Sequence, residues 1–136
     1  TPMQWDATKN AGFSNETPWL PVHENHSTVN VLHQENDQNS VLNHFRKMVA
    51  LRKDNLLLVY GNYEIIQDDH PTIYAYSRTL EDQQMIILLN FSELESSISL
   101  PNFDYNKEVL INNYNEFSID ENTITLKPYQ AVVLKF

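Results

Sequence analysis

The sequence predicts a mainly β protein: an antiparallel Greek-key β-sandwich preceded by a long loop and one amphipathic helix. Two observations carry this prediction. Apolar residues recur with a helical period only before Gly61, and after it they alternate with a period of two. The second part also divides into about seven short segments rich in β-branched residues, separated by brief turns. A hydrophobic content of 41% in 136 residues is typical of a folded domain.

The first 38 residues form the predicted loop. Prolines at positions 2, 18 and 21 punctuate it, and Asn, Ser and Thr are frequent. A stretch of this length is uncommon inside a compact domain, and usually serves a function or contacts a missing surface. Helical turns are expected only over residues 29–35.

The predicted helix begins near Asn39 or Ser40, either of which could cap it, and ends near Asp54. Its apolar residues follow the i, i+3/i+4, i+7 spacing of one face: Val41, Leu42, Phe45, Met48, Val49 and Leu51. This stripe needs a surface to pack against, and we do not expect the sandwich to supply all of it. Loop and helix together are therefore typical of the end of a larger α/β domain.

The predicted strands follow in the second part, with a further short strand expected over 57–60. They cover residues 63–67, 72–79, 84–91, 96–100, 108–112, 123–126 and 131–136. The connections carry turn residues, as in Asp68–Pro71, Leu80–Asp82, Pro101-Asn102 and Asp120–Asn122. Residues 85–89 lack alternation, which predicts a central strand covered on both faces.

Composition excludes several classes of function. A net charge of −9 repels phosphate backbones, so we expect no nucleic-acid partner. No apolar stretch approaches the roughly 20 residues that span a bilayer, and the start does not resemble a signal peptide. The absence of cysteine excludes disulfides and favours a reducing compartment. We therefore expect a cytoplasmic protein without membrane contact.

The residues themselves indicate no catalytic machinery. His23 and His26 are three positions apart, whereas zinc ligands on one helical face need a spacing of four, so we expect no metal site. The carboxylate pairs Asp68-Asp69 and Glu81-Asp82 lie in predicted turns, where they are simply solvated. Two glycines in the whole chain exclude a glycine-rich phosphate cradle. We expect no cofactor.

Aromatic residues in the loop allow two interpretations. Trp5, Phe13 and Trp19 could stack on sugars, or they could anchor the loop to a core. Sequence alone favours anchoring.

Motifs along the whole chain resemble one enzyme family. Thr1-Pro2-Met3-Gln4-Trp5-Asp6, Asn10–Phe13 and Thr17–Trp19 resemble the segment after the eighth barrel strand in the α-amylase superfamily. The branch is that of oligo-1,6-glucosidases, α-glucosidases and trehalose-6-phosphate hydrolases. Further matches follow in order at 51–53, 59–63, 74–78, 88–92 and 126–131.

This resemblance implies a division of the chain and a missing partner. Residues 1–60 would be the last loop and helix of a (β/α)₈ barrel, and residues 61–136 the C-terminal β-sandwich. The catalytic carboxylates would lie upstream of Thr1, in the N-terminal barrel of the same protein. The parent enzyme would hydrolyse α-glucosidic bonds of small oligosaccharides with retention, and this chain alone would be inactive.

The resemblance also implies site residues. Met3, Gln4, Trp5 and Asp6 would line or buttress the rim of the substrate pocket, with the last three mainly holding the loop rigid rather than contacting sugar.

Two alternatives concern surfaces. The sandwich is expected to cap the barrel, but it could bind carbohydrate through Tyr63, Tyr74, Tyr76, Tyr105 or Tyr114. The helix stripe of Val41, Phe45, Met48 and Val49 could mediate self-association or dock another partner.

Overall fold

The computed structural model describes residues 1–100, 108–116 and 118–136. The described chain forms two compact units, residues 1–47 and 48–136. None of the described helices is both long and apolar enough to cross a membrane.

The first unit contains short helical segments joined by loops. They are the 3₁₀ turns Lys9–Gly12 and Glu24–Ser27, and α1, which spans Val31–Asn36. Buried Asn30 caps α1, because its Oδ1 accepts a hydrogen bond from the His33 amide at 2.9 Å. Its Nδ2 donates to the His26 carbonyl at 2.8 Å. The helical turns predicted near 29–35 are confirmed.

Helix α2 spans Val41–Asp54, as predicted. Ser40 is its cap, since the Asn43 amide donates to the Ser40 Oγ at 3.2 Å. None of the helix residues is buried: Val41 is 80% exposed and Phe45 is 60% exposed. Of the predicted apolar stripe, Val41, Phe45 and Met48 are therefore exposed in this chain, whereas Leu42, Val49 and Leu51 are partly buried.

A third helix, α3, spans Leu56–Tyr60, so the short strand predicted there is wrong. Two arginines satisfy its last carbonyl groups: Arg52 Nη1 donates to the Leu58 carbonyl at 2.6 Å, and Arg78 Nη2 lies 3.3 Å from that of Val59. Both arginines come from other elements, and a local hydrophobic pattern cannot reveal them. A short apolar run does not by itself distinguish a strand from a buried helical turn.

Eight strands lie in the described part of the second unit. They are β1 (Asn62–Ile66), β2 (Ile73–Leu80), β3 (Gln83–Asn90), β4 (Ser96–Ser99), β5 (Glu108–Asn112), β6 (Ser118–Asp120), β7 (Thr123–Leu126) and β8 (Ala131–Lys135). The sequence predicts all of them except β6 to within one residue at each end. Strand β6 is missed because three residues are too short to show an alternating pattern.

The strands form two antiparallel sheets. One has the order β1-β2-β3-β8-β5 and the other the order β4-β7-β6. The chain changes sheet between β3 and β4, β4 and β5, β5 and β6, and β7 and β8. The predicted antiparallel β-sandwich is confirmed.

Two apolar clusters flank the five-stranded sheet. The main core lies between the sheets and includes Ile86 and Leu88 of β3 with Ile124 and Leu134. On the opposite face, Met85 and Ile87 of β3 pack in a second cluster with Leu57 of α3. Strand β3 is therefore covered on both faces, as its unbroken apolar run predicts.

Candidate functional site

Backbone hydrogen bonds hold the rim segment, residues 1–6, at two places in the first unit. The amides of Trp5 and Asp6 both donate to the Ala11 carbonyl, at 2.9 and 3.3 Å. The amide of Val31 donates to the Gln4 carbonyl at 2.9 Å, and the amide of Leu32 donates to the Trp5 carbonyl at 2.9 Å. The rim segment is thus fixed both by the turn that follows it and by the first turn of α1.

The turn after the rim segment has an unusual backbone. Asn10, Ala11 and Gly12 have φ values of 57°, 57° and 65°, the left-handed region that costs energy for residues other than glycine. Ala11 is completely buried. A Cβ at Gly12 would lie 2.6 Å from Asp6 Oδ2, so only glycine fits against that carboxylate.

Asp6 acts as a hydrogen-bond acceptor inside this turn. Its Oδ1 accepts from the Thr8 amide at 2.8 Å and from the Thr8 hydroxyl at 2.5 Å. These two bonds, helped by the charge of nearby His26, lower the pKa of Asp6 despite partial desolvation. A general acid needs a raised pKa to hold its proton at neutral pH, so the ionised Asp6 supports the loop and does not donate protons.

Gln4 points back into the first unit. Its Nε2 donates to Asn25 Oδ1 at 3.1 Å and also to the Val29 carbonyl. Both hydrogens of the amide are therefore engaged, and the side chain ties the rim segment to the loop before α1.

Met3 and Trp5 differ from these residues, because half of each side chain is exposed. Met3 lines an open depression of about 440 Å³ with Thr1, Pro2, Phe13, Ser14, Thr17, Pro18, Trp19 and Leu20. Trp19 is 91% exposed and Phe13 is 49% exposed. Within the described residues, the anchoring to a core that we predicted for these rings is not observed.

The remaining candidates for chemistry are exposed. Asp68, Asp69, Glu81 and Asp82 lie in turns with solvent around them. Over residues 1–100, 108–116 and 118–136, no group of three His, Cys, Asp or Glu side chains is placed to hold a metal ion.

The sandwich places three of the candidate tyrosines together on the outer face of the five-stranded sheet. The Tyr76 ring centroid lies 5.3 Å from that of Tyr63 and 5.6 Å from that of Tyr74. The hydroxyls of Tyr63 and Tyr74 are hydrogen-bonded at 2.6 Å, which raises the pKa of Tyr63. Burial raises the pKa of Tyr76. Of these three rings, Tyr63 and Tyr74 offer the larger surface to solvent.

The other two candidate tyrosines are not part of this cluster. The Tyr114 hydroxyl donates to the Pro128 carbonyl at 2.7 Å, and the Lys127 ammonium lies 5.7 Å from its ring centroid. Tyr105 lies outside the described residues, as does the predicted turn at Pro101-Asn102.

A buried polar network at one end of the sandwich was not predicted from the sequence. Asn90 Nδ2 donates to the carbonyls of Leu94 and Lys127 at 2.8 and 2.9 Å. Gln130 Nε2 donates to Asn112 Oδ1 and to the Glu116 carbonyl, both at 2.9 Å. Asn90 and Gln130 are 3% and 1% exposed, so they organise the loops from within. The available signal was an Asn at the end of the apolar run of β3.

Two family models match consecutive parts of the chain. Residues 1–61 match the alpha-amylase catalytic domain, and residues 73–133 match the C-terminal domain of the alpha-amylase SusG. The first match contains the rim segment and all three helices, and the second contains most of the sandwich.

Known proteins match the chain over nearly its whole length. An oligo-1,6-glucosidase from Parageobacillus thermoglucosidasius is 44% identical, and the match covers 99% of this chain and 25% of that protein. A trehalose-6-phosphate hydrolase from Bacillus subtilis is 37% identical with the same coverage. The crystal structure of a trehalose-6-phosphate hydrolase from Bacillus licheniformis superposes with a TM-score of 0.92 at 34% identity, over 99% of this chain and 25% of that one. The chain thus spans about a quarter of the length of the relatives it matches.

Proposed function

We propose that the chain belongs to the alpha-amylase family and is the C-terminal part of an enzyme that hydrolyses α-glucosidic bonds in small oligosaccharides. One observation carries the proposal: a catalytic-domain match and a C-terminal-domain match follow each other within a chain that is 44% identical to an oligo-1,6-glucosidase. Hydrolysis would proceed with retention, through a covalent glucosyl-enzyme. The nucleophile and the acid would come from the rest of the enzyme.

The rim segment would border the substrate pocket of that enzyme. Its side chains divide into two groups, which supports distinct roles. Gln4 and Asp6 are engaged in hydrogen bonds within the loop and would hold its shape. Met3 and Trp5 are half exposed and would face the pocket entrance or the neighbouring loops.

The partner of this chain would be the N-terminal (β/α)₈ barrel of the same protein. Residues 1–60 would complete that barrel, and residues 61–136 would cap it. The exposed stripe of Val41, Phe45 and Met48 supports this arrangement, because a large uncovered apolar surface tends to find a partner. Self-association through the same stripe is the alternative for the isolated chain. A cytoplasmic location for the enzyme would agree with its lack of cysteine here.

A capping role for the sandwich is better supported than carbohydrate binding. Tyr76 is half-buried against α3, and the hydroxyls of Tyr63 and Tyr74 bond to each other. Titration of the 136-residue chain with maltose and isomaltose oligomers tests this preference. Saturable binding at millimolar concentration or below would favour the carbohydrate-binding alternative.

The proposed activity is tested with two proteins, the full-length enzyme and the 136-residue chain. We expect the full-length enzyme to release glucose from α-linked disaccharides, with the α-anomer as the first product seen by NMR. The 136-residue chain should release none. Turnover by the short chain, or an inverted product from the long one, would contradict the proposal.

Trp5→Ala in the full-length enzyme tests the role of the rim segment. Because half of the Trp5 side chain is buried within this chain, its removal should cost packing, and we expect the variant to lower the melting temperature at least as clearly as it raises the KM. Unchanged melting with a large rise in KM would show instead that Trp5 chiefly contacts the sugar.

A further inference from the structure

We propose that the depression beside Met3 is an outer saccharide subsite, in which Phe13 and Trp19 stack against sugar units remote from the bond that is cleaved. This inference rests on the proposed function and extends it, because it names residues that would set the preferred length of the substrate. Neither ring belongs to the rim segment itself.

The chemistry of the lining favours a neutral carbohydrate. Trp19, 91% exposed, and Phe13, 49% exposed, line the depression together with the hydroxyl-bearing residues Ser14 and Thr17, and none of the described lining residues has a charged side chain. Carbohydrates present apolar C–H faces together with hydroxyl groups, so they need flat rings and polar uncharged partners. An anionic ligand would find no side chain here to balance its charge.

The position of Phe13 is set by the loop before any ligand arrives. The Phe13 amide donates to the Asn10 carbonyl at 3.0 Å. The Asn10 side chain then donates to the carbonyls of Ser14 and Glu16, at 2.9 and 3.0 Å. The ring therefore projects from a segment tied at both ends, which reduces the entropy lost on binding.

Met3 connects this depression with the proposed substrate rim. It is one of the rim residues, and it also lines the depression together with Phe13 and Trp19. A saccharide held at the rim could thus extend along a continuous surface onto the two rings. This continuity is the reason to assign the depression to a longer substrate.

The competing occupant is another part of the same enzyme, which could pack over Trp19 and bury it. The two possibilities predict different measurements. A covered tryptophan would contribute to stability regardless of substrate, whereas a stacking tryptophan would act only on substrates long enough to reach it.

The test uses the full-length enzyme with Trp19→Ala, Phe13→Ala and the conservative Trp19→Phe. Hydrolysis is measured on α-linked glucose di-, tri- and tetrasaccharides. We expect Trp19→Ala to lower kcat/KM for the tetrasaccharide about tenfold, mostly through KM, and to change the disaccharide value less than about twofold. Phe13→Ala should show the same length dependence, and Trp19→Phe should restore most of the loss. Phe91→Ala, at an exposed ring of the sandwich, is the matched control.

An equal decrease in kcat/KM for the di-, tri- and tetrasaccharide would overturn the proposal. A lower melting temperature with no change in the dependence of kcat/KM on substrate length would overturn it as well. Calorimetric titration with the tetrasaccharide, compared between wild type and Trp19→Ala, provides a readout independent of turnover. Weaker binding of the tetrasaccharide to Trp19→Ala than to wild type supports the subsite. If the wild type cleaves no α-glucoside, that result rejects the proposed activity but not the subsite. Equal binding to both proteins rejects the subsite.

Discussion

At the scale of single residues, Asp6 and Gly12 form the most constrained contact of the rim. The Asp6 carboxylate fills the space where a Gly12 side chain would stand, and Thr8 holds that carboxylate in place. Three consecutive left-handed residues are tolerated because this arrangement keeps Ala11 buried and its carbonyl bonded to the rim segment. The strain is thus stored beside the proposed substrate entrance.

Gly12→Ala should destabilise the first unit by about 1–3 kcal/mol, because the new methyl group meets Asp6 in a backbone region unfavourable to alanine. Thermal denaturation of the 136-residue chain measures this loss. Asn15→Ala, at an exposed loop position nearby, is the control and should stay within about 0.5 kcal/mol. Equal stability of the two variants would show that the turn relaxes freely.

Asp6 also predicts a dependence of stability on pH. Its folded-state pKa is lowered by the two bonds from Thr8, so ionised Asp6 stabilises the folded chain at neutral pH. This contribution is lost as the pH falls below about 4, through the folded-state pKa. The melting temperature should therefore decrease less between pH 7 and pH 3 for Asp6→Asn than for wild type. Asp69→Asn, in an exposed turn, is the control and should show the same dependence of melting temperature on pH as wild type. If Asp6→Asn also showed the wild-type dependence, the stabilising role of ionised Asp6 would be refuted.

At the scale of elements, α3 connects α2 with the sandwich. Leu57 is 3% exposed and packs on β3, and Arg52 and Arg78 bind the carbonyl end of the helix. Gly61 follows directly, where a Cβ would lie 2.5 Å from the Leu57 carbonyl. The connection is therefore a packed helical turn that passes directly into β1.

Leu57→Ala should cost about 2–5 kcal/mol in the 136-residue chain, since it removes a buried side chain from the second apolar cluster, which Leu57 forms with Met85 and Ile87. Its neighbour Leu56 is 62% exposed, so Leu56→Ala is a control matched in residue type and helix position. Urea denaturation followed by circular dichroism compares the two. Similar midpoints would mean that α3 contributes no packing to the sandwich.

At the scale of the whole molecule, the exposed part of the α2 stripe, Val41, Phe45 and Met48, is the clearest feature. Phe45 is 60% exposed, and no residue of this helix is buried. Relatives that match this chain are about four times as long, and a larger protein can cover the stripe.

Phe45→Ala should therefore act differently in two proteins. In the full-length enzyme we expect a loss of about 3 kcal/mol, because the ring would be buried there. In the 136-residue chain the change should stay within about 0.5 kcal/mol. The change in melting temperature caused by Phe45→Ala is measured in both proteins. Equal changes in the two proteins would contradict burial of Phe45 by the barrel.

The candidate site shows what could be predicted from the sequence. The motif from Thr1 to Asp6 led us to predict that the rim segment borders the substrate pocket, because a specific series of residues marks it without any knowledge of contacts; this role stays a prediction. The hydrogen bonds of Gln4 to residues 25 and 29 could not be foreseen, since they join positions more than twenty residues apart. The exposure of Trp19 was also missed, because a tryptophan between prolines gives no sign of whether it is covered.

The hydrophobic pattern and the turn residues together determined α2 and all but one of the observed strands, because each of these elements carries its own signal over several residues: a helical period in α2, an unbroken apolar run in β3, and mostly alternation in the other strands. Tertiary structure decided the rest: α3 in place of a strand, the three-residue β6, and the burial of Asn90 and Gln130. Each of these depends on partners distant in the chain, such as Arg78 for α3 and β7 for β6. Local sequence encodes the period of an element, whereas the pairing of a short or polar segment is fixed only when the folded chain brings its partner to it.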